Sequence, residues 1–299
     1  MFKTSFPLKT SSLSLCGKAG KEDCIKAEKR QIALRCFAVL GLMLLCSGCS
    51  RQGRELDAAQ WRSWRIGVPL AWGADYYLTD YVGLPVLYRY EDGSECLMGL
   101  KFGYIDAIVA DNLYAREMVR LNPELTILDE PVGTDQAIAY ISSERPKLLD
   151  EVNGFIPEFR ESEAYFDLCR RSEADEFIPN NDVPLIENGR LLRVAIDASS
   201  GNYPYVYYDF NTDSPQGVEV EFVKQFAAAH GYTIEWYDSD WDSCAVAITN
   251  HQVDLFVGGC SIYYVREAEE SKDIFCSDPY FDMNLVLIAN RQDIQEAGT

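Results

Sequence analysis

Side chains that could carry out acid–base or nucleophilic chemistry are few and poorly spaced in this sequence. Asp240 and Asp242 are one residue apart, so in an extended segment their carboxylates would project to opposite sides. General acid–base catalysis requires both groups within reach of one substrate. Ser261 has no histidine in its own motif, and His230 ends a predicted helix. We therefore predict that the protein is not an enzyme.

The sequence does not favour a metal site or a bound cofactor either. The chain has ten cysteines but only two histidines, His230 and His251, and no cysteine beyond residue 49 belongs to a CxxC pair. Zinc sites usually combine such ligands at short spacing. We predict no metal and no cofactor. The pattern leaves open whether the remaining cysteines form disulfides or stay as buried thiols; they are Cys96, Cys169, Cys244, Cys260 and Cys276.

Residues 1–48 have the composition of a secretory leader. Eight basic side chains precede an apolar run from Cys36 to Cys46, which is the order found in signal peptides. The run has roughly half the length that spans a bilayer, which disfavours a permanent transmembrane helix. The segment Leu45-Cys46-Ser47-Gly48-Cys49 resembles the lipobox of bacterial lipoproteins, which implies acylation of Cys49 and an extracytoplasmic, membrane-anchored protein. A plain cleaved signal and an uncleaved anchor are the alternatives.

The charge of the chain restricts its partners. The net charge is −20, and the leader carries eight of the basic residues, so the remainder is more acidic still. A strongly acidic surface repels phosphate groups, and we therefore predict no binding to nucleic acid. The same charge disfavours adhesion to anionic lipid, so anchoring would depend on acyl chains.

Beyond the leader, the chain has two halves that begin alike. Each half opens with a strand-like run and a loop, at residues 64–69 and 191–196, and continues with a helix that leads into a short apolar strand. Such alternation predicts α/β lobes. The predicted segments are a signal peptide (1–48), a stem (49–62), one α/β lobe (63–172), a linker (173–190), a second α/β lobe (191–293) and a tail (294–299).

Five ordered motifs in the second half resemble lobe one of the family 3 extracellular solute-binding proteins, the polar amino-acid binders of ABC transporters. They lie at residues 202–209, 217–222, 240–242, 253–266 and 275–281. The resemblance implies the type II periplasmic-binding-protein fold, in which two α/β lobes joined by a hinge close on a small zwitterionic ligand.

The first half resembles lobe two of the same family, through residues 66–73, 100–111 and 136–141. In ordinary members lobe one comes first, so the lobe order here is reversed. Either the protein is a circular permutant whose halves form one complete cleft, or it combines truncated remnants of two copies. We favour the permutant because the halves together contain each lobe once. In that case Asn284–Asn290 would pair with Gln136–Ile141 to form the hinge.

The resemblance supplies partners for both charges of a free amino acid, which must be satisfied when the ligand leaves water. Arg266 stands at the carboxylate-binding arginine of the family, whose planar fork can hold two oxygens. Asp111 stands at the lobe-two aspartate that accepts hydrogen bonds from the ligand ammonium. The backbone at Gly259 and the hydroxyl of Ser261 would add further contacts. Tyr263 replaces a threonine that usually helps to hold the carboxylate, so either its phenol reaches the ligand or the site binds something else.

Other positions implied by the resemblance concern the ligand side chain. Trp241 and Tyr203 stand where aromatic rings commonly enclose it. Trp72 and Gly73 lie in a loop that is more apolar than in many relatives, so we predict a ligand with an apolar or aromatic tail. Asp197 matches an acid found at the edge of the cleft in some members, and a loop-capping role is its alternative.

The implied function is capture of a small zwitterionic ligand, such as an amino acid, for import through an ABC permease. Two alternatives stay open. One is a binding module that reports its ligand to a sensor partner, and the other is a degenerate protein that binds no ligand. A dehydratase-like enzyme on the same fold is a further, weaker alternative.

Overall fold

A computed structural model describes residues 56–174, 176–199 and 202–294. The predicted signal peptide, Cys49 and most of the predicted tail lie outside the described residues. Within these ranges, no helix combines the length and the apolar character needed to cross a membrane.

The first lobe is built mainly from the N-terminal part of the described chain. Its elements are β1 (Ile66–Pro69), α1 (Gly73–Tyr76), β2 (Tyr88–Tyr90), α2 (Gly93–Phe102), β3 (Ala107–Asp111), α3 (Asn112–Leu121), β4 (Leu125–Ile127) and β5 (Gly133–Ala137). Strands β1, β2 and β3 are mutually parallel. Every residue of β1 and the first four residues of β3 are buried, as expected for strands covered on both faces.

The second lobe follows in the chain. Its elements are β6 (Tyr140–Ser142), α4 (Pro146–Arg160), α5 (Glu163–Ser172), β7 (Arg190–Ile196), β8 (Tyr207–Asp209), β9 (Ser214–Gln216), α6 (Val218–His230), β10 (Tyr232–Asp238), α7 (Trp241–Thr249), β11 (Leu255–Phe256), α8 (Val265–Ser271) and β12 (Ile274–Cys276). The sheet order is β10-β7-β11-β6-β12, and β8 and β9 form a separate hairpin.

The last strand, β13 (Phe281–Asn290), returns to the first lobe. It lies between β3 and β4 in a sheet of order β2-β1-β3-β13-β4 and also pairs with β5. All three of its pairings are antiparallel. The sheet of the first lobe is therefore completed by residues from the C-terminal end of the described chain.

The chain passes between the lobes at two adjacent points, from β5 to β6 and from β12 to β13. Ala137 pairs with Phe281 on the first-lobe side, and Tyr140 pairs with Cys276 on the second-lobe side. The predicted hinge pairing of Asn284–Asn290 with Gln136–Ile141 does not occur, because residues nearer to the start of β13 pair with this segment. Residues 136–137 pair with 281–282, whereas most of Asn284–Asn290 pairs with β3 and β4.

The lobes do not coincide with the predicted ranges 63–172 and 191–293. Residues 56–137 and 281–294 form the first lobe, and residues 138–280 form the second. Helices α4 and α5 belong to the second lobe because the apolar face of α4 packs against α6, where the rings of Phe155 and Phe222 have centroids 6.1 Å apart. The described residues of the predicted linker contain no helix or strand before Arg190.

Candidate functional site

A cavity of about 330 Å³ lies between the two lobes, beyond the carboxyl ends of β1, β3 and β11. Ligands of open α/β sheets bind at such ends. The lining combines aromatic and acidic side chains from both lobes. The aromatic residues are Trp72, Tyr114, Tyr205, Trp241 and Tyr264, and the acidic residues are Asp111, Asp135, Glu219 and Asp242. Among the described residues that line the cavity, none is basic.

Six residues predicted from sequence line this cavity. Trp72, Gly73 and Asp111 come from the first half of the chain, and Trp241, Gly259 and Ser261 come from the second half. Residues from both halves thus face one space.

Arg266 is not among the residues that line the cavity. It is in the first turn of α8, its side chain is 74% exposed, and its Nη2 lies 3.7 Å from Asp80 Oδ2 in the first lobe. The guanidinium therefore contacts an exposed acid of the facing lobe, outside the cavity, and in this arrangement it does not meet a ligand carboxylate there.

Three further predicted residues are also outside the cavity lining. Asp197 is fully buried, and its Oδ1 accepts hydrogen bonds from the backbone and the hydroxyl of Ser199. The hydroxyl of Tyr203 accepts a hydrogen bond from the backbone N–H of Phe177. The hydroxyl of Tyr263 donates to the carbonyl of Thr134 at 2.7 Å, so this phenol joins the two lobes instead of pointing into the cavity.

Asp111 ends β3 and caps the N-terminus of α3. Its Oδ1 accepts hydrogen bonds from the backbone N–H groups of Leu113 (3.1 Å) and Tyr114 (2.9 Å) and from the hydroxyl of Tyr205 in the second lobe. Burial raises the pKa of this carboxyl group, and the hydrogen bonds oppose the rise. None of these three bonds involves Oδ2, and Asp111 is one of the residues that line the cavity.

Asp135 is a second carboxyl group in the cavity, and it was not identified from sequence. Its side chain accepts hydrogen bonds from the hydroxyl of Ser261 (2.6 Å) and the backbone N–H of Gln136 (2.7 Å), both at Oδ1. Burial raises its pKa to about 6, and the charge of Asp111 acts in the same direction. A Cβ atom at Gly73 would lie 2.1 Å from Asp135 Oδ2, so this close approach of α1 requires glycine.

Glu219 is another carboxyl group in the cavity lining. Like Asp135, it was not identified from sequence. It accepts hydrogen bonds from the backbone N–H groups of Gly258 (2.7 Å) and Gly259 (3.0 Å) and from the hydroxyl of Tyr280 (2.5 Å). Burial raises its pKa to about 7 against these three hydrogen bonds, which lower it. Glu219 belongs to the motif at Gly217–Phe222 and lies in the first turn of α6. An acidic residue at that position ordinarily indicates a solvent-exposed helix N-terminus, so the motif alone did not identify it as a site residue.

The aromatic residues give the cavity its walls. Trp72 and Tyr114 of the first lobe pack edge to face, with ring centroids 5.1 Å apart. In the second lobe Trp241 is supported by Phe256, with ring centroids 5.0 Å apart. Aromatic faces attract cations as well as apolar groups. A cavity with carboxylates and aromatic walls is therefore suited to an organic cation.

Comparison with known proteins supports the resemblance in the second half of the chain. Residues 192–295 match the family described as bacterial extracellular solute-binding proteins, family 3. Two similar proteins are a probable histidine-binding protein of Neisseria gonorrhoeae, 29% identical, and the arginine-binding extracellular protein ArtP of Bacillus subtilis, 31% identical. Each match covers 105 residues, which is 35% of this chain and 37% or 38% of the relative. The family resemblance predicted from the motifs is thus confirmed over this segment.

The matches to solved structures have low sequence identity and low TM-scores. The GluR0 ligand-binding core in complex with L-glutamate is 10% identical, with a TM-score of 0.37 over 76% of this chain and 84% of that chain. The VFT2 domain of Bordetella pertussis BvgS is 10% identical, with a TM-score of 0.38 over 77% of this chain and 81% of that chain.

Proposed function

Because residues 192–295 match family 3 of the bacterial extracellular solute-binding proteins, we propose that this protein binds a small solute in the cleft between its two lobes, outside the cytoplasm. The observation that carries the proposal is the cavity itself. Its volume of about 330 Å³ is at the lower end of the range for small-molecule sites. Both lobes line it, so a bound solute would favour the closed state through contacts with each.

The lining indicates the chemistry of the solute. Asp111 and Asp135 offer carboxylate oxygens, while Trp72 and Trp241 offer aromatic surface. This combination suits an ammonium or guanidinium group attached to an apolar or aromatic body. The two matched relatives carry names that specify histidine and arginine, which both have nitrogen-rich side chains. We therefore expect an amine-bearing solute and not an acidic one.

The proposed function also includes a membrane anchor for the protein and transfer of the bound solute to a transporter. We propose that the leader directs export, that Cys49 carries the lipid anchor, and that the solute is passed to an ABC permease. The apolar run after a basic segment and the lipobox-like sequence support export and anchoring. The resemblance to binding proteins of ABC transporters supports import.

A second function is favoured by direct contacts between the lobes. Tyr205 donates to Asp111, Ser261 donates to Asp135, and Tyr263 donates to the carbonyl of Thr134. These bonds link the lobes through protein groups alone. A module that signals to a sensor partner, or one that serves as a scaffold without ligand, would use such contacts to stay closed.

A thermal-shift screen distinguishes a protein that binds a solute from a scaffold that binds none. The full chain would be tested with the twenty amino acids and with simple amines and guanidines. A ligand at a hundred times its Kd stabilises the folded state by about 2.7 kcal/mol. The proposal predicts such a shift for amine-bearing compounds; a scaffold predicts none for any compound.

The matched variants are Asp111→Asn and Asp92→Asn. Both aspartates cap helices, α3 and α2 respectively, and asparagine is an equally good N-cap. Asp111→Asn should remove the ligand-induced shift because it removes the charge that faces the cavity. Asp92→Asn, outside the cavity, should keep it. Equal shifts in both variants would contradict the proposed role of the cleft.

A further inference from the structure

We infer that the solute is an organic cation that carries no carboxylate: a primary amine or a guanidine with an apolar or aromatic body. The inference rests on the proposed function, because it concerns the same cleft. It departs from the zwitterionic ligand predicted from sequence.

The described basic side chains lie away from the cavity. A carboxylate that leaves water requires a compensating cation or several donors. The part of the chain that the structure describes contributes no lysine, arginine or histidine to the cavity lining. Arg266, the predicted partner of such a carboxylate, is 74% exposed and lies beside Asp80 outside the cavity.

The neutral donors in the segment predicted to hold a carboxylate point toward carboxyl groups of the protein itself. The backbone N–H groups of Gly258 and Gly259 both donate to Glu219. The hydroxyl of Ser261 donates to Asp135. These donors already bind acceptors of the protein, so a ligand carboxylate would have to compete with two buried carboxylates for them.

The cavity has carboxyl groups that can accept hydrogen bonds from a cationic ligand. Asp111 and Asp135 both line the cavity and accept hydrogen bonds from protein groups at Oδ1, so the second carboxyl oxygen of each is not used by these bonds. Asp135 is 5% exposed. Burial of such groups without a cation favours their neutral forms. A ligand cation between Asp111, Asp135 and the rings of Trp72 and Trp241 would instead stabilise the charged forms.

Matched pairs of an amino acid and its decarboxylated amine test this inference directly. Suitable pairs are phenylalanine with phenethylamine, tyrosine with tyramine, histidine with histamine, and arginine with agmatine. In calorimetric titrations of the full chain, the pair that binds best should show the amine binding at least about tenfold more tightly, which corresponds to one unsatisfied charged hydrogen-bonding group.

The two possible failures are distinguishable. If the amino acid of the best pair binds more tightly than its amine, the inference is wrong and the proposed function stands. If no member of any pair binds, the proposed function fails and the inference fails with it.

Two substitutions test the role of the arginine. Arg266→Ala removes a potential carboxylate partner, and Asp80→Ala breaks the same ion pair from the other lobe while leaving the arginine in place. We expect the two variants to change amine affinity by the same factor, less than about fivefold, as for an exposed ion pair. A loss of tenfold or more in affinity for the amino acid of the best pair, in Arg266→Ala but not in Asp80→Ala, would overturn the inference, because it would show that the guanidinium holds a ligand carboxylate.

Discussion

At the scale of single residues, two carboxyl groups of the cleft titrate near neutral pH. Burial raises the pKa of Asp135 to about 6 and that of Glu219 to about 7, whereas unfolded carboxyl groups titrate at about 4. Between these values the folded state holds protons that the unfolded state has lost. The stabilisation that protonated Asp135 and Glu219 give to the folded state is therefore complete below about pH 4. It is lost as the pH rises through about 6 to 7.

This linkage predicts that the ligand-free protein is less stable at pH 8 than at pH 5. Replacing Asp135 with Asn should remove about 1 kcal/mol of that decrease, because the carboxyl group loses its proton within this interval. Urea unfolding at the two pH values measures the difference. Asp92→Asn, at an exposed helix cap, is the control and should leave the pH dependence unchanged. An equal decrease in Asp135→Asn and in the parent protein would contradict the prediction.

Ligand affinity should have the opposite pH dependence. A cation binds the charged form of Asp135, so this proton must leave before or during binding. Below pH 6 the affinity for agmatine, which keeps its charge across this range, should fall about tenfold for each pH unit. Calorimetry in buffers of different ionisation enthalpy should also record proton release. Constant affinity between pH 5 and pH 7 would show that Asp135 does not contact the ligand.

The motifs predicted several residues of the cavity but not their contacts. Asp111, Trp241 and Ser261 line it: Asp111 ends β3, Trp241 begins α7, and Ser261 caps a short 3-10 helix (Ile262–Tyr264). A motif fixes a position in the chain, not the direction of a long side chain, and Arg266 accordingly points elsewhere. Asp135 was missed because its contact with Ser261 joins residues 126 positions apart, which no local pattern reveals.

At the scale of elements, periodicity predicted helices better than their partners. Apolar residues between Leu148 and Phe159 recur at steps of three and four, which predicts a helix over residues 147–160, and α4 spans Pro146–Arg160. The same spacing shows which face is buried but not what covers it, and α4 packs on the second lobe instead of the first. Strands β5 and β6 are short, and their pairing with β13 and β12 depends on distant residues.

The packing of α4 gives a prediction at this scale. Phe155 is 9% exposed and lies against Phe159, Phe222 and Phe226. Phe155→Ala should lower the free energy of unfolding by about 3–5 kcal/mol because it opens a cavity between α4 and α6. Urea unfolding provides the measurement.

The control for this substitution is Phe166→Ala on α5, where the side chain is 55% exposed. Its effect should stay within about 0.5 kcal/mol. If the two alanine variants lose similar stability, α4 does not form part of the second-lobe core.

At the scale of the whole molecule, the order of the lobes is the distinctive feature. We propose that the chain is a circular permutant of the ordinary two-lobed arrangement. Leu56 and Ile294 form a bridge, and the backbone N–H of Leu56 donates to the carbonyl of Asp293 at 2.7 Å. The two ends of the described chain are thus adjacent, while the described residues between α5 and β7 contain no helix or strand before Arg190.

A rearranged chain tests the permutation. Joining Ile294 to Leu56 with a short glycine–serine linker and opening the chain within residues 173–190 would restore the ordinary lobe order. Because neither change breaks a strand or helix, we expect a Tm within a few degrees of the parent and unchanged ligand affinity. Thermal unfolding followed by circular dichroism measures the first, and calorimetry measures the second.

The alternative, two truncated copies, makes the opposite prediction about the separate halves. Under that alternative residues 56–172 and 187–294 would each fold alone. In the structure, however, β6 lies between β11 and β12, and β13 lies between β3 and β4. Each isolated half would lack a strand from the interior of its own sheet and would expose unpaired backbone groups and core side chains. We therefore expect each half to be unfolded alone, and cooperative unfolding of either one by itself would contradict the permutant.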